Sequence, residues 1–285
     1  AKFSHDCFRP GEGLMPLADA LALLDARLQP VAATEIVPLA AAPGRILAED
    51  VTATIDVPPH DNSAVDGYAV RHADLAGQGE TRMPVQGRIA AGEILDGPGK
   101  SGAAYRIFTG APMPQGFDSV FMQEDCASEN GEVILPEGLE KGANRRRLGE
   151  DVRRGSVILK SGRLLGPPDI GLAASVGLVA LPVYKPLRCA VFSTGDEVTD
   201  PPGPPPVGGI FDANRHTLMG LLGDMGCRVT DLGILADDEG VIGDALFAAA
   251  ADHDLIITSG GVSIGDEDHV RAAVAALGGI HFWRL

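Results

Sequence analysis

The final hundred residues constrain the fold more than any other part of the chain, because short apolar runs alternate there with helical patterns. Arg188–Ser193 (RCAVFS), Arg228–Leu232 (RVTDL) and Leu255–Thr258 (LIIT) each read as a strand, the last apolar enough to be buried on both faces of a sheet. Between the first two, Leu218, Leu221, Leu222 and Met225 mark one face of a helix that Asn214 is placed to cap. A second helix is expected over Val241–Ala250. Val270, Ala273, Val274 and Leu277 mark a third, with Gly278 as its stop signal. Strands and helices in this alternation require right-handed crossovers, and therefore a parallel, doubly wound sheet.

Each of the three strands runs into carboxylates. Thr194 and Gly195 lead into Asp196 and Glu197; Asp237, Asp238 and Glu239 follow the second strand. Ser259, Gly260, Gly261, Ser263 and Gly265 lead into Asp266, Glu267 and Asp268. Glycines admit close backbone approach and amides at a helix start attract anions. Carboxylates beside such amides suit a magnesium ion that bridges to a phosphate. Helix capping through the dipole explains any one of these loops equally well. Three of them at the carboxyl ends of neighbouring strands, where such sheets bind ligands, favour a ligand site.

Charge is consistent with that site. The chain of 285 residues carries 23 Lys+Arg against 39 Asp+Glu, a net of −16. From Pro186 onward the only cations are Arg188, Arg215, Arg228, Arg271 and Arg284, against fifteen carboxylates. So acidic a surface argues against nucleic-acid binding while admitting a phosphorylated small molecule with a divalent ion. No run is long and apolar enough to span a membrane, and the start has no apolar signal-peptide core, so a cytoplasmic protein is expected. Cys7, Cys126, Cys189 and Cys227 lack metal-ligand or redox spacing and read as reduced thiols. Pro201–Gly209 (PPGPPPVGG) reads as a stiff surface loop within the last domain.

Upstream of Pro186 the pattern changes. Leu17, Ala20, Leu21, Leu24 and Leu28 predict an amphipathic helix. Glycines, prolines and short β-prone runs (YRIF, SVFM, EVIL) predict a small antiparallel β domain inserted into an elongated one. Three segments there concentrate polar residues: DNSAVDGYAV (61–70), RIFTGAPMP (106–114) and NRRRLGEDVRRG (144–155). Turns with Asx hydrogen bonds account for the first two as well as a site does. The five arginines of the third suit either an anion clamp or a surface ion-pair network.

Together with FSTGDEV, FDANR, LGILADD and SGGVSIGDEDH, these segments stand in the order seen in the MoeA family, which the chain resembles from about Pro16 to Leu285. The chain is similar also to the E domain of gephyrin. The resemblance implies an α/β multidomain protein. An elongated split domain (10–60 and 149–186) would hold an inserted β domain (61–148), followed by a three-layer doubly wound parallel α/β domain (187–285). It implies a molybdopterin molybdenumtransferase that inserts molybdate into adenylylated molybdopterin and releases AMP with magnesium. Its motifs select Asp66, Thr109, Asp151 and Glu197 as catalytic. Glu197, Asp237 and Asp268 would hold Mg2+, and Thr194, Gly195, Ser259, Gly260, Gly261, Ser263 and Gly265 the substrate. A homodimer is implied, with DNSAVDGY and RRRLGED of one subunit facing the α/β domain of the other, as is a transient contact with a molybdopterin adenylyltransferase. Family members continue beyond TrpArgLeu into a lysine-containing loop and a further β domain, so the α/β domain is expected to be incomplete and this polypeptide to bind ligand weakly and release little or no AMP. Two other functions stay open on sequence: an adenylyltransferase acting one step earlier, and a non-catalytic scaffold.

Overall fold

In the computed structural model, which describes residues 16–205, 207–260 and 269–279, the chain forms two compact units. One is 36–183; the other comprises the described residues before 36 and after 183. The first elements are α1 (Leu17–Arg27) and β1 (Thr34–Pro38). Next come β2 (Val51–Thr52), β3 (Asn62–Ser63), β4 (Gly67–Val70), β5 (Thr81–Ile89), β6 (Ala104–Ile107) and β7 (Ser119–Met122). The unit is completed by β8 (Ala127–Glu129), β9 (Glu132–Leu135), β10 (Arg145–Arg146), β11 (Val157–Leu159), α2 (Pro167–Ser175) and β12 (Ala180–Tyr184).

Six of these strands form one sheet in the order β7-β4-β6-β5-β9-β8. Sequence alone leads to an antiparallel insertion, but β5 and β6 are parallel, and the other pairs are antiparallel. A parallel pair needs a connection of roughly a dozen residues or more, which 90–103 supplies. Adjacent residues in the strands go to different cores, as the two-residue period requires. Ala69, Tyr105 and Val120 join Ile89, Ile107 and Phe117 on one side, with Tyr105 edge-on to Phe117. Val70, Ala104 and Phe121 join Met83, Val133 and Leu135 on the other.

A separate core in the same unit takes residues from both sides of that sheet in sequence: Val37, Leu47 and Val51, then Leu159, Leu165, Leu181 and Val183. The two-stranded ribbons β1-β12 and β2-β11 frame it. α2 packs beneath, started by Pro167 and Pro168, while Asp169 reaches back to accept from the Gly166 amide at 2.9 Å.

The second unit continues with β13 (Arg188–Thr194), β14 (Val198–Thr199), β15 (Ile210–Phe211), α3 (Asn214–Asp224) and β16 (Arg228–Leu235). α4 (Glu239–Asp252), β17 (Leu255–Ser259) and α5 (His269–Leu277) follow. Its sheet is parallel, in the order β16-β13-β17, with every residue of β13 after Arg188 buried. Leu222 of α3 packs with Cys189 and Val191 on one face; Ile242 and Leu246 of α4 and Val270 and Ala273 of α5 pack with Phe192 on the other. The chain passes from β13 to β16 on one side, then returns to β17 on the other. The strand order therefore reverses at β13, and the crevice it opens lies at the carboxyl ends.

Three local expectations change. α3 begins one residue after Ala213, so Asn214 sits inside the helix and does not cap it. Of the apolar stripe on α3, Leu222 is buried but Leu221 and Met225 are exposed. On α1, Leu17 and Leu21 face solvent. Cys126, Cys189 and Cys227 are free thiols, with Cys189 buried, while Cys7 lies outside the described residues. No helix among the described residues is long and apolar enough to cross a membrane.

Candidate functional site

Within unit 36–183 the three polar motifs converge. β3, from DNSAVDGY, pairs antiparallel with β10, from the arginine run, matching Ser63 with Arg145 and Asn62 with Arg146. The TGAP turn docks on the same short strand: Ser63 donates to the Ala111 carbonyl, and Gly110 donates to that of Ser63. Asp61 ties the third segment in, its carboxylate accepting from the Leu148 amide at 2.8 Å and facing Arg145 at 3.5 Å. Nothing in their spacing required segments separated by 35 and 29 residues to share one strand.

Asp66 and Thr109 meet at the centre of this arrangement. One carboxylate oxygen of Asp66 accepts from the Thr109 amide at 2.8 Å and from its hydroxyl at 2.7 Å. Those two bonds hold the Asp66 carboxyl below its usual range, with a smaller contribution from the Arg106 charge. Asp66 is thus an ionised acceptor with one oxygen engaged. Asp151 sits in the same part of the unit, its amide bound to the Val57 carbonyl and its carboxylate held by Arg146 at 2.5 Å. Glu150 also faces Arg146, at 3.5 Å, so the ion-pair reading of the arginine run holds for Arg146. Arg147, Arg153 and Arg154 have no ion pair among the described residues. A cleft of about 490 Å³ opens beside Asp151, Arg153, Ile158 and Leu172.

In the other unit the carboxyl ends of the sheet gather Thr194, Gly195, Glu197, Asp237, Ser259 and Gly260. The Thr194 hydroxyl donates to the Asp237 carboxylate at 3.2 Å, and a side chain at Gly195 would meet the Glu197 carboxylate at 2.7 Å. Two carboxylates therefore bracket the Thr194–Gly195 peptide. Gly260, at φ +97°, lies so close that an added Cβ would stand 2.2 Å from the Thr194 carbonyl oxygen. The capping reading is right for Asp238, which accepts from the Val241 amide at the start of α4. Asp237, one residue earlier, faces the sheet end instead. Gly261, Ser263, Gly265 and Asp268 lie outside the described residues. Among the described residues no group of three His, Cys, Asp or Glu is close enough to hold a metal. The unit's cavity of about 540 Å³ lies at the opposite, amino ends of the strands, lined by Lys185, Arg188, Arg228 and Asp254.

In the FDANR motif, sequence alone gives a role only to Asn214, as a helix cap, and none to Asp212 or Arg215. Arg215 is 2% exposed and bonded to three carboxylates: Asp212 at 2.8 Å, and Asp200 and Asp231 more closely. Burial opposes its charge, but the bonds from Asp212 and Asp231 outweigh that, so its pKa rises. Burial likewise pushes the Asp212 carboxyl up, and the Arg215 side-chain and amide bonds more than reverse the shift. These partners come from the end of the loop that carries Glu197, from the start of α3, and from the middle of β16. Asn214, next along, donates to the Ser259 hydroxyl at 3.0 Å. The first turn of α3 thereby ties together segments that lead into the sheet end. Helical periodicity carries no trace of it, because the partners are distant in sequence.

The description "MoeA N-terminal region (domain I and II)" matches residues 15–177, and "Probable molybdopterin binding domain" matches 190–285. The chain is 42% identical over 253 residues to the molybdopterin molybdenumtransferase of Haemophilus influenzae, covering 88% of this chain and 62% of that protein. It is 39% identical over 240 residues to molybdopterin molybdenumtransferase 2 of Mycobacterium tuberculosis, covering 83% and 59%. It thus spans about three-fifths of the length of these curated relatives. A crystal structure of a molybdopterin biosynthesis MoeA protein from Pyrococcus horikoshii superimposes with a TM-score of 0.79 at 32% identity, covering 87% of this chain and 66% of that one.

Proposed function

The chain belongs to the MoeA family, and from that premise we propose that it inserts molybdate into adenylylated molybdopterin and releases AMP, a step of molybdenum cofactor biosynthesis. The observation that carries this reading is the relatives' common name, molybdopterin molybdenumtransferase, at 38–42% identity over most of the chain. The proposed architecture is an elongated split domain with an inserted β domain, followed by a three-layer doubly wound domain that receives the pterin. A cytoplasmic location and a symmetric homodimer are part of the same proposal. In that dimer the DNSAVDGY and RRRLGED segments of one subunit face the α/β domain of the other.

The donor chemistry at the sheet end fits magnesium, since Glu197 and Asp237 offer hard carboxylate oxygens beside one peptide. These two, with Asp268, would hold the ion. When bound, it supplies positive charge to the substrate's pyrophosphate oxygens. The remaining tasks fall to the chain. At Gly260 the absence of a side chain lets the end of β17 lie against the Thr194 carbonyl, which keeps the two strand ends together at the site. Asp66, kept ionised by Thr109, can accept a hydrogen bond from the attacking oxygen and orient it, with Asp151 as a second orienting carboxylate. Cleaving a phosphoanhydride depends chiefly on such positioning and charge stabilisation, with no covalent enzyme intermediate required.

The test supplies the protein, extended to the full length of its relatives, with adenylylated molybdopterin, magnesium and molybdate, and follows AMP. The expected result is AMP release that depends on molybdate and falls by about a hundredfold or more in Asp66→Asn. Consumption of ATP with pyrophosphate release would identify an adenylyltransferase instead. Failure to turn over either substrate would leave a scaffold and sink the transferase reading.

A further inference from the structure

On the face of the six-stranded sheet that carries Ala104 and Tyr68, two arginines are placed side by side. Arg88 of β5 is the direct cross-strand partner of Arg106 of β6, and Arg106 is in turn opposite Tyr68 of β4. Like charges directly opposite each other on one sheet face destabilise it. The protein offsets this in part by stacking: the guanidinium carbons of Arg88 and Arg106 lie 4.6 and 4.9 Å from the centroid of the same ring, Phe108, and Arg106 also lies 5.2 Å from that of Tyr68.

What the arrangement lacks is a carboxylate at hydrogen-bonding distance: Asp66 feels the Arg106 charge but accepts from Thr109, and Glu93 stands 3.9 Å from Arg88. In a chain of net charge −16, Arg106 has no ion pair among the described residues. Its bonds go to two neutral acceptors, the Gly67 carbonyl at 3.2 Å and the Gln123 side-chain oxygen. Arg88, largely exposed, reaches only Glu93, at 3.9 Å. Two planar forks with unused N–H groups suit the oxygens of a tetrahedral anion, which can bridge both. Phe108 immediately precedes Thr109, so such an anion would stand beside the Asp66–Thr109 pair.

We propose that Arg88 and Arg106, gathered on Phe108, form a docking site for a tetrahedral oxyanion, either free molybdate or a phosphate group. The Asp66 carboxylate nearby repels the anion and keeps the site weak, so that it exchanges quickly and does not trap its ligand. The site does not require the transferase reading, because oxyanion binding is measured without the pterin.

Isothermal titration of the protein with sodium molybdate, inorganic phosphate and AMP tests it. Binding of at least one in about the millimolar range is expected. Arg88→Gln and Arg106→Gln should each weaken it by about tenfold, with Arg88→Lys and Arg106→Lys in between. Stronger binding of molybdate than of phosphate and AMP identifies a free oxyanion as the ligand, and the reverse a phosphorylated one. Arg82→Gln, an exposed arginine elsewhere on β5, is the control and should bind as the parent does. No measurable binding by the parent protein, parent-like binding by both Gln variants, or an equal loss in Arg82→Gln would each overturn the proposal. Should Arg106→Gln unfold, as circular dichroism would reveal, the exposed Arg88→Gln carries the test alone.

Discussion

Replacing Arg215 with Met isolates the energetics of the charge cluster at the start of α3. The substitution keeps most of the volume and removes the charge from a position 2% exposed, leaving Asp212, itself 5% exposed, without its partner. An uncompensated buried charge of this kind costs about 3–5 kcal/mol. Asp200 and Asp231 contribute little to that figure, because their side chains are 46% and 34% exposed and water screens them. Hydrogen exchange read by mass spectrometry over α3 and β16 reports the loss within this unit, without assuming that both units unfold together. The amides exchanging through opening of the unit should speed up by about two to four powers of ten at neutral pH.

The cost should also depend on pH, with a sign that follows from Asp212. In the parent its pKa is lowered, so its contribution to stability is present above the unfolded value near 3.8 and lost only as pH falls through the folded value. In Arg215→Met the side-chain bond and charge of residue 215 are gone while burial remains, opposed mainly by the residue-215 amide, so that pKa rises relative to the parent's; acidification then neutralises the stranded carboxyl and the gap between variant and parent narrows toward pH 4. Adding Asp212→Asn to Arg215→Met should recover most of the loss at pH 7. A loss under about 1 kcal/mol, or one equal at pH 4 and pH 7, would refute the claim that an unpaired Asp212 is what the variant suffers from.

Gly260→Ala should cost about 2–4 kcal/mol, since it combines a left-handed backbone with a Cβ 2.2 Å from the Thr194 carbonyl; denaturant titration that finds it neutral would show that the two strand ends are further apart. The Asp254 carboxyl, held down to about 2 by the side-chain and amide bonds of Arg188, should remain ionised at pH 3 in an NMR titration. Its stabilising effect is then complete above about pH 4 and lost between pH 4 and pH 2. Arg188→Gln should return its titration toward 3.8.

The parts of the fold that were legible in sequence are those in which one residue's environment repeats at a fixed period. The run RCAVFS became β13 because a buried parallel strand needs continuous apolar residues; LIIT also became a strand, β17, but burial on both faces is not seen there, since β17 is only half-buried at the edge of the described sheet. The acidic residues after the first two strands were open to both ligand chemistry and helix capping, and Asp238 shows why the two could not be separated in advance. Both tasks use a carboxylate at the same place, and only the neighbours of Asp237 and Asp238 tell them apart. Asp66 and Thr109 were chosen through family motifs, whereas the bond between them is a tertiary fact. Arg215 and the Arg88–Arg106 pair had no local signature at all, since their meaning lies in partners on other strands. Asn214 was misplaced for a related reason: a good capping residue was available, but its side chain was drawn to Ser259.

The pairing of β1 with β12 has a consequence for how this chain can be built and altered. Unit 36–183 is entered and left on two hydrogen-bonded strands, with the Leu39 amide donating to the Val179 carbonyl and Leu47 bridging Val183. Its two ends are therefore fixed within a strand spacing of each other, and its own core holds them there. To the polypeptide on either side, nearly 150 residues act as a clip no longer than a hairpin turn. The loop-closure entropy of so long an excursion is met inside the unit, where growth in loop length adds little. Residues may be inserted or removed between β2 and β11 without changing the distance that the flanking segments must span. In such a chain the six-stranded sheet is free to diverge while the parallel sheet keeps its register, and a short turn is a physically sensible replacement for the whole excursion.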